Sequence, residues 1–283
     1  MVKIYRPTQL TQALSYKARH DATLFAGGTD IMVRGLENRI DSDAPVLFLD
    51  DIAGLKTIKL MNLGVESKVI IGAGVTLQEL IAHESVPFMV KDAAKRIGAP
   101  ALRNRATLIG NVCNASPAAD MLPVLYLLNA HVDLASEQGS RQLPIEAFIL
   151  GPGKTALNAD EIVISVSLTL PWFDDYFYHK VGTRAANALT KLSILAAVRV
   201  ESGIIMDWRL TFGAVGPTVV RSVEFENSLI GRKATTLTTD KIRNEILDHY
   251  NNQISPIDDR RSSAEYRRCA AMNLLRRWIY QFH

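Results

Sequence analysis

Twice within its first eighty residues this chain runs from an apolar stretch directly into glycines and on into a helical pattern. In "LFAGGTDIM", residues 24–32, the run meets Gly27 and Gly28, then Thr29 and Asp30. In "KVIIGAGVTLQEL", residues 68–80, Val69–Ile71 meet Gly72 and Gly74 before Thr76. A glycine there packs nothing and loses backbone entropy, so it marks a turn, a positive φ or a close approach of the backbone to something else. That something can be a phosphate.

The rest of the pattern places these units. Leu10, Ala13, Leu14 and Ala18 recur at helical spacing, so residues 8–19 read as an amphipathic helix. "PVLFLDDI" (45–52) is a second apolar strand, which makes the opening βαβ-like. Thr76 with Glu79 three positions later predicts a capping box. "FMVKDAAKRIG" reads as a helix stopped by Gly98 and Pro100, and residues 121–129 as another. Strands are expected at 131–135 and 160–171, with loop chemistry between residues 103 and 120. From residue 176 the pattern predicts a strand, a small-residue helix, two strands joined by a turn at Glu201–Gly203, and two helical stretches after Thr238.

A length of 283 residues suggests two or three compact units, and 48% hydrophobic with 22% charged residues is ordinary for a globular protein. A net charge of +3 gives no argument for nucleic acid, and the acidic residues Asp258, Asp259 and Glu265 interrupt the arginine pairs near the C-terminus. No apolar run reaches the ~18 residues of a membrane span. The first residues lack a signal-peptide pattern, so a cytoplasmic location is expected. Two cysteines, Cys113 and Cys269, exclude an iron–sulfur cluster or four-cysteine zinc site held by this chain alone. The six histidines include no i,i+4 pair, so a redox metal would belong to a partner.

Four stretches carry candidate chemistry. AGGTD is a phosphate cradle of backbone N–H groups or a plain strand-to-helix turn. It is no P-loop, because no lysine follows the glycines. "IGAGVTL" fails as a dinucleotide fingerprint because Leu77 stands where the third glycine is needed. "RNRATLIGNVCNASPAADMLP" sets Thr107, Asn111, Asn114, Ser116 and Asp120 beside Gly110, which suits a polar ligand or a surface loop; Asp120 reads equally as a helix N-cap. Lys180 and Arg184 are a solvated pair or a positive pair facing an electron-rich ligand.

Taken in order, AGGTD, RNRATLIGN, NASPAAD, DEIV and K-x-x-x-R, followed by "GPGKTAL" (151–157), "FGAVGPTVVR" (212–221) and "SPIDDRRSSAEYRR" (255–268), resemble the FAD-binding medium subunit of the molybdenum hydroxylases, of xanthine dehydrogenase and carbon monoxide dehydrogenase type. The resemblance runs nearly end to end. It implies an α+β fold: a two-part FAD-binding α/β domain of vanillyl-alcohol-oxidase-like form, divided as residues 1–58 and 59–175, then a C-terminal domain, 176–283, with a small antiparallel sheet.

It also implies non-covalent FAD. By resemblance, Ala26, Gly27, Gly28, Thr29 and Asp30, with Thr107, Gly110 and Asn111, wrap the pyrophosphate, and Leu24 and Phe25 also bind the cofactor. Ser116 and Asp120 meet the flavin nucleotide, the backbone at Ile162–Val163 lies beside the ring, and Lys180 near its face tunes or screens the reduced flavin. An iron–sulfur small subunit and a molybdopterin large subunit are the implied partners, with NAD⁺, a quinone or a ferredoxin as acceptor. The GPGK and FGAV segments lean towards a purine-type complex. The implied function is an electron-transferring oxidoreductase subunit; the other classes are a stand-alone flavin oxidoreductase and a flavin-poor structural subunit. One departure from the family pattern is Ile109, standing where the first glycine of T-I-G-G-N is expected. A β-branched residue would be strained there if the position needed a positive φ. Ala101, where the family commonly has glutamine, is a second departure.

Overall fold

The computed structural model describes residues 3–36, 44–63, 66–184 and 187–282. The chain forms two compact units, Met1–Ala115 with Leu128–Leu170, and Ser116–Leu127 with Pro171–His283.

In the first unit β1 (Ile4–Tyr5), β2 (Thr23–Phe25) and β3 (Val46–Phe48) form a parallel sheet in the order β1-β3-β2. Parallel strands need a crossover. The helix α1 (Leu10–Arg19) carries the chain from β1 to β2, on the far side of β3, and packs on β3 with Ala13 and Leu14 buried; α2 (Ile31–Leu36) follows β2.

A second, antiparallel sheet is built from β4 (Ile58–Leu63), β5 (Glu66–Gly72), β6 (His131–Ser136) and β7 (Gly139–Pro144). Between β5 and β6 the chain forms α3 (Leu77–Ala82), α4 (Phe88–Lys95), α5 (Pro100–Arg103), α6 (Leu108–Cys113) and α7 (Leu122–Leu127), the last belonging to the second unit. After β7 come α8 (Ile145–Phe148), the short pair β8 (Ile149–Gly151) and β9 (Lys154–Thr155), and β10 (Ile162–Thr169), which takes the centre of the order β4-β5-β10-β6-β7. Its central place buries Ile162, Val163, Val166 and Leu168, and Ser167 with them. The α3 capping box forms as expected: the Thr76 hydroxyl accepts from the Glu79 N–H at 3.2 Å, and the Glu79 carboxylate accepts from the Thr76 N–H at 2.8 Å. Gly98, at φ +49°, follows α4, and Pro100 is the first residue of α5.

The second unit is a four-stranded antiparallel sheet of β11 (Asp175–Gly182), β12 (Thr190–Glu201), β13 (Ile204–Gly213) and β14 (Val220–Arg221), in that order. Ser202 and Gly203 turn the β12–β13 hairpin with φ of +51° and +77°, the pair of positive angles a two-residue loop demands. On one face Leu192, Ile194, Ala196 and Val198 join a core with α9 (Val223–Leu229), α10 (Asp240–Gln253) and α11 (Ala264–Ile279), centred on Trp208, Trp278 and Tyr250. On the other face lies α7, all six of its residues buried, its carbonyls held by the sheet: Thr211 donates to Pro123 O at 3.1 Å, Arg209 to Leu127 O at 2.8 Å, and Arg221 to Tyr126 O.

Two expectations are corrected. The small-residue helix after Arg184 is not formed among the described residues: Thr190–Glu201 is a strand, paired on both sides, and Ala185 and Ala186 lie outside the described residues. Cross-strand pairing and burial override the helix propensity of its alanines and leucines. Conversely, "LIGNVC", taken for loop, is the helix α6.

Candidate functional site

The AGGTD turn is held by close backbone packing within the first unit. A Cβ added to Gly27 would lie 2.0 Å from Arg105 O and 3.0 Å from the Ala106 Cα, so only glycine lets residues 26–30 approach that strand of chain. Gly28 takes φ +73°, and an added Cβ would strike the Phe25 ring at 2.2 Å. The adjoining segment is tied down in turn, since Leu77 N–H donates to Ala106 O at 2.8 Å. Arg105 reaches Asp50 at 3.2 Å, and Arg6 reaches Asp51 at 3.0 Å, which accounts for the paired acids closing β3.

Thr107 then opens α6 as its N-cap, its hydroxyl accepting from Gly110 N–H at 3.0 Å. Leu108, Ile109 and Val112 are buried, leaving Gly110 exposed and Asn111 half-buried on the other side. Ile109 has helical backbone, so the strain that a positive φ would impose does not arise. Asn114 Nδ2 donates to Asp30 Oδ1 at 3.3 Å, joining the end of α6 to the AGGTD turn. Leu24–Thr29, half-buried, and Thr107–Asn111 are thus brought together. Bare backbone at Gly27 and Gly28, with the Thr29 hydroxyl and the Asn111 amide, is a neutral donor set that suits phosphate oxygens, the Gly110 N–H being already donated to Thr107.

Val163 lies on β10, on which α6 packs, and its side chain is buried. The β10–β6 register skips Ile164, whose carbonyl instead accepts from Ala73 N–H at 2.9 Å. The IGAG turn is explained by packing: a Cβ on Gly72 would meet Leu55 O at 2.2 Å.

In the second unit Ser116 accepts from Ala118 N–H at 3.3 Å. Asp120 receives the Lys180 ammonium on Oδ2 at 2.8 Å and the Thr190 hydroxyl on Oδ1 at 2.5 Å. The side chains of Lys180 and Asp120 are only 8% and 13% exposed. Burial pushes the Asp120 carboxyl above its ordinary value, opposed by the charge and hydrogen bond of Lys180, the Thr190 hydroxyl and the charge of Arg261. Lys180 and Arg184 do not act as a joint cationic pair, because Arg184 donates to Asn187 O at 2.8 and 3.1 Å while Lys180 turns to Asp120. Thr190 went unforeseen: its place depends on strand register, for which its neighbours in sequence carry no signal.

Neither cysteine forms a disulfide; burial pushes the Cys113 thiol up to about 12. Among the described residues no group of three His, Cys, Asp or Glu side chains is placed to hold a metal ion, and no helix is long and apolar enough to cross a membrane.

Comparison with known proteins completes the description. Residues 1–172 match the model of the FAD binding domain in molybdopterin dehydrogenase, and residues 177–282 that of the CO dehydrogenase flavoprotein C-terminal domain. The glyceraldehyde dehydrogenase medium chain of Sulfolobus acidocaldarius is 31% identical over 269 residues, covering 93% of this chain and 92% of the relative. The xanthine dehydrogenase FAD-binding subunit of Escherichia coli O157:H7 is 28% identical, over 93% of this chain and 89% of the relative. In fold, a chain of carbon monoxide dehydrogenase from Hydrogenophaga pseudoflava superposes with a TM-score of 0.87 at 23% identity, over 98% of this chain and 95% of that one.

Proposed function

The chain belongs to the FAD-binding flavoprotein subunits of the molybdopterin dehydrogenase family, and we propose that it takes electrons from an iron–sulfur partner subunit and passes them to NAD⁺ or another acceptor. The observation that carries this is Gly27 lying against the Arg105–Ala106 backbone, which assembles the two donor segments into one cradle. In this reading Ala26–Asp30 with Thr107, Gly110 and Asn111 hold the pyrophosphate, and Leu24 and Phe25 bind the cofactor beside them. Ser116 and Asp120 meet the flavin nucleotide, and the backbone at Ile162–Val163 flanks the ring. FAD, when bound, supplies the exchange between single electrons and electron pairs.

The protein's part is placement and charge. Lys180 is proposed to set the charge near the flavin face together with Asp120, because a buried ammonium 2.8 Å from a carboxylate acts as half of a pair. The expectation that Lys180→Ala slows acceptor reduction while FAD stays bound is therefore best tested beside Lys180→Ala/Asp120→Asn, which leaves no stranded carboxylate. Two cysteines fit electron delivery by a separate iron–sulfur chain, and a molybdopterin large subunit would determine the substrate. A purine-type substrate rests on the GPGK and FGAV segments alone; the relatives are named for glyceraldehyde as well as xanthine. The three-part division at residues 58 and 175 and a cytoplasmic location belong to the same proposal.

The flavin-poor alternative loses its ground with Ile109 in a helix. The test is the visible spectrum of the purified chain before and after FAD is added and the excess removed by desalting. Retained flavin absorbance is expected; a chain that stays colourless alone and in its assembled complex would overturn the proposal. Turnover with NAD⁺ by the chain without partners would move it to the stand-alone class.

A further inference from the structure

The Asp120–Lys180 pair has a third member whose position depends on an irregularity in the sheet. Along β11 and β12, Lys180 lies opposite Ser193 and Val181 opposite Leu192, but Gly182 lies opposite Thr190, so Lys191 has no partner. Side chains alternate between the faces of a strand, and in a regular strand Thr190 would share the face of Leu192, which packs into the core with α10 and α11. One unmatched residue reverses that. Thr190 falls instead on the face of Lys180 and Ser193, and the Lys191 ammonium lies 5.2 Å over the Tyr266 ring of α11. Bulges beside functional residues commonly re-aim a side chain in this way.

The re-aimed hydroxyl has a specific target. Asp120 is gripped from two adjacent strands, Lys180 of β11 on Oδ2 and Thr190 of β12 on Oδ1. With each oxygen held by a different strand, the plane of the carboxylate is fixed. Thr190 itself is 3% exposed, so no water replaces its hydroxyl on Oδ1 at little cost.

We propose that Thr190 is a positioning residue for the proposed flavin site: its hydroxyl, delivered by the bulge at Lys191, locks Oδ1 of Asp120 so that Oδ2 is presented to Lys180. The inference rests on the reading that Asp120 meets the flavin nucleotide. The charged groups facing this carboxylate are Lys180 from β11 and Arg261 from the loop before α11, with Thr190 the neutral donor. Loss of the hydroxyl leaves Asp120 with less support for its charged form, so it takes up a proton at higher pH.

The experiment compares Thr190→Ser and Thr190→Val in the full chain, with Asp120→Asn as reference. Flavin fluorescence gives the FAD Kd from pH 5 to 9. In parallel, ¹³C-carboxyl-aspartate labelling follows the Asp120 titration without FAD, its signal assigned by its loss in Asp120→Asn. Thr190→Ser, which keeps the hydroxyl, should match the parent. Thr190→Val, which keeps the volume, should raise the FAD Kd about tenfold, equivalent to about 1.4 kcal/mol, and shift the Asp120 midpoint upward. A packing role predicts the reverse order, with valine tolerated and serine harmful, and would overturn the inference. So would an Asp120 midpoint unmoved by valine. Should Thr190→Val not fold, Thr190→Ala removes the hydroxyl without added bulk, and the same two outcomes decide. If Asp120→Asn leaves FAD binding unchanged, the reading of Asp120 fails, while the carboxylate titration still judges Thr190.

Discussion

Replacing Arg221 with methionine removes one side chain and strands two groups. Its guanidinium donates to Glu226 through Nε at 3.0 and 3.1 Å and Nη2 at 2.9 Å, and through Nη1 to the Tyr126 carbonyl of α7. Both side chains are sealed, at 5% and 3% exposure. Without Arg221 the Glu226 carboxylate keeps the Leu210 N–H at 2.9 Å as its direct hydrogen bond. Breaking a buried pair by removing one partner costs about 3–5 kcal/mol, against total stabilities of about 5–15. The loss has a ceiling, because Glu226 can take up a proton instead. Burial already holds its carboxyl above the ordinary value in spite of Arg221. A carboxyl whose folded value is raised contributes stability that is present at low pH and lost as pH rises through that value. Arg221→Met raises it further, so the variant should lose least in mild acid and up to about 1.4 kcal/mol more per pH unit above it. Adding Glu226→Leu should restore most of the loss and abolish the pH slope. Urea unfolding from pH 5 to 8, followed by tryptophan fluorescence, reads this unit directly, since Trp208 and Trp278 lie in its core and Trp172 is exposed. A loss of less than about 1 kcal/mol, or one that does not vary with pH, would refute the reasoning.

Gly27→Ala should abolish retention of FAD after desalting, because its Cβ would collide with Arg105 O, whereas Gly54→Ala, with open space around it, should not; equal retention in both would remove Gly27 from the cradle. Ile109→Gly, which restores the glycine of the family pattern, should lower the Tm without tightening FAD binding, since it deletes a buried side chain from a helix. Thr76→Val should cost about 0.5–2 kcal/mol in denaturant unfolding through loss of the α3 cap. Asp259, pushed down to about 2 chiefly by its hydrogen bond from Arg267, contributes stability present above its ordinary 3.8 and lost as pH falls towards 2. Its carboxyl midpoint by NMR should rise towards 3.8 in Arg267→Met; an unmoved midpoint would show that Arg267 is not the cause.

What was legible in the sequence is what short-range chemistry decides. Thr76 and Glu79 lie three apart, as a capping box requires, and Ser202–Gly203 is a two-residue turn with glycine where φ is positive. The AGGTD turn announces itself through two glycines, although the partner that forces Gly27, the Arg105 carbonyl, lies 78 positions away. Helix α6 was hidden because Gly110, Asn111 and Asn114 are poor helix formers; the Thr107 cap and the burial of Leu108, Ile109 and Val112 outweigh them. The strand after Thr190 was hidden by its small residues, and the bulge at Lys191 exists only relative to β11, so neither Thr190 nor its hold on Asp120 is written locally.

Helix α7 carries a consequence for how the protein is made. Its residues are wholly apolar apart from one tyrosine hydroxyl, yet their binding face on β12 and β13 ends at Gly213, some 86 residues later in the chain. During synthesis from the N-terminus, Leu122–Leu127 leaves the ribosome long before anything exists to cover it, while the chain goes on to complete β6 to β10. For that interval the nascent protein displays an unsheltered greasy hexapeptide, the kind of segment that chaperones bind. Cutting the gene at the boundary between the two matched family segments would leave that hexapeptide uncovered for good and deprive the C-terminal half of its inner face. The two halves are therefore expected to be insoluble when expressed apart, and to need co-expression or an intact reading frame.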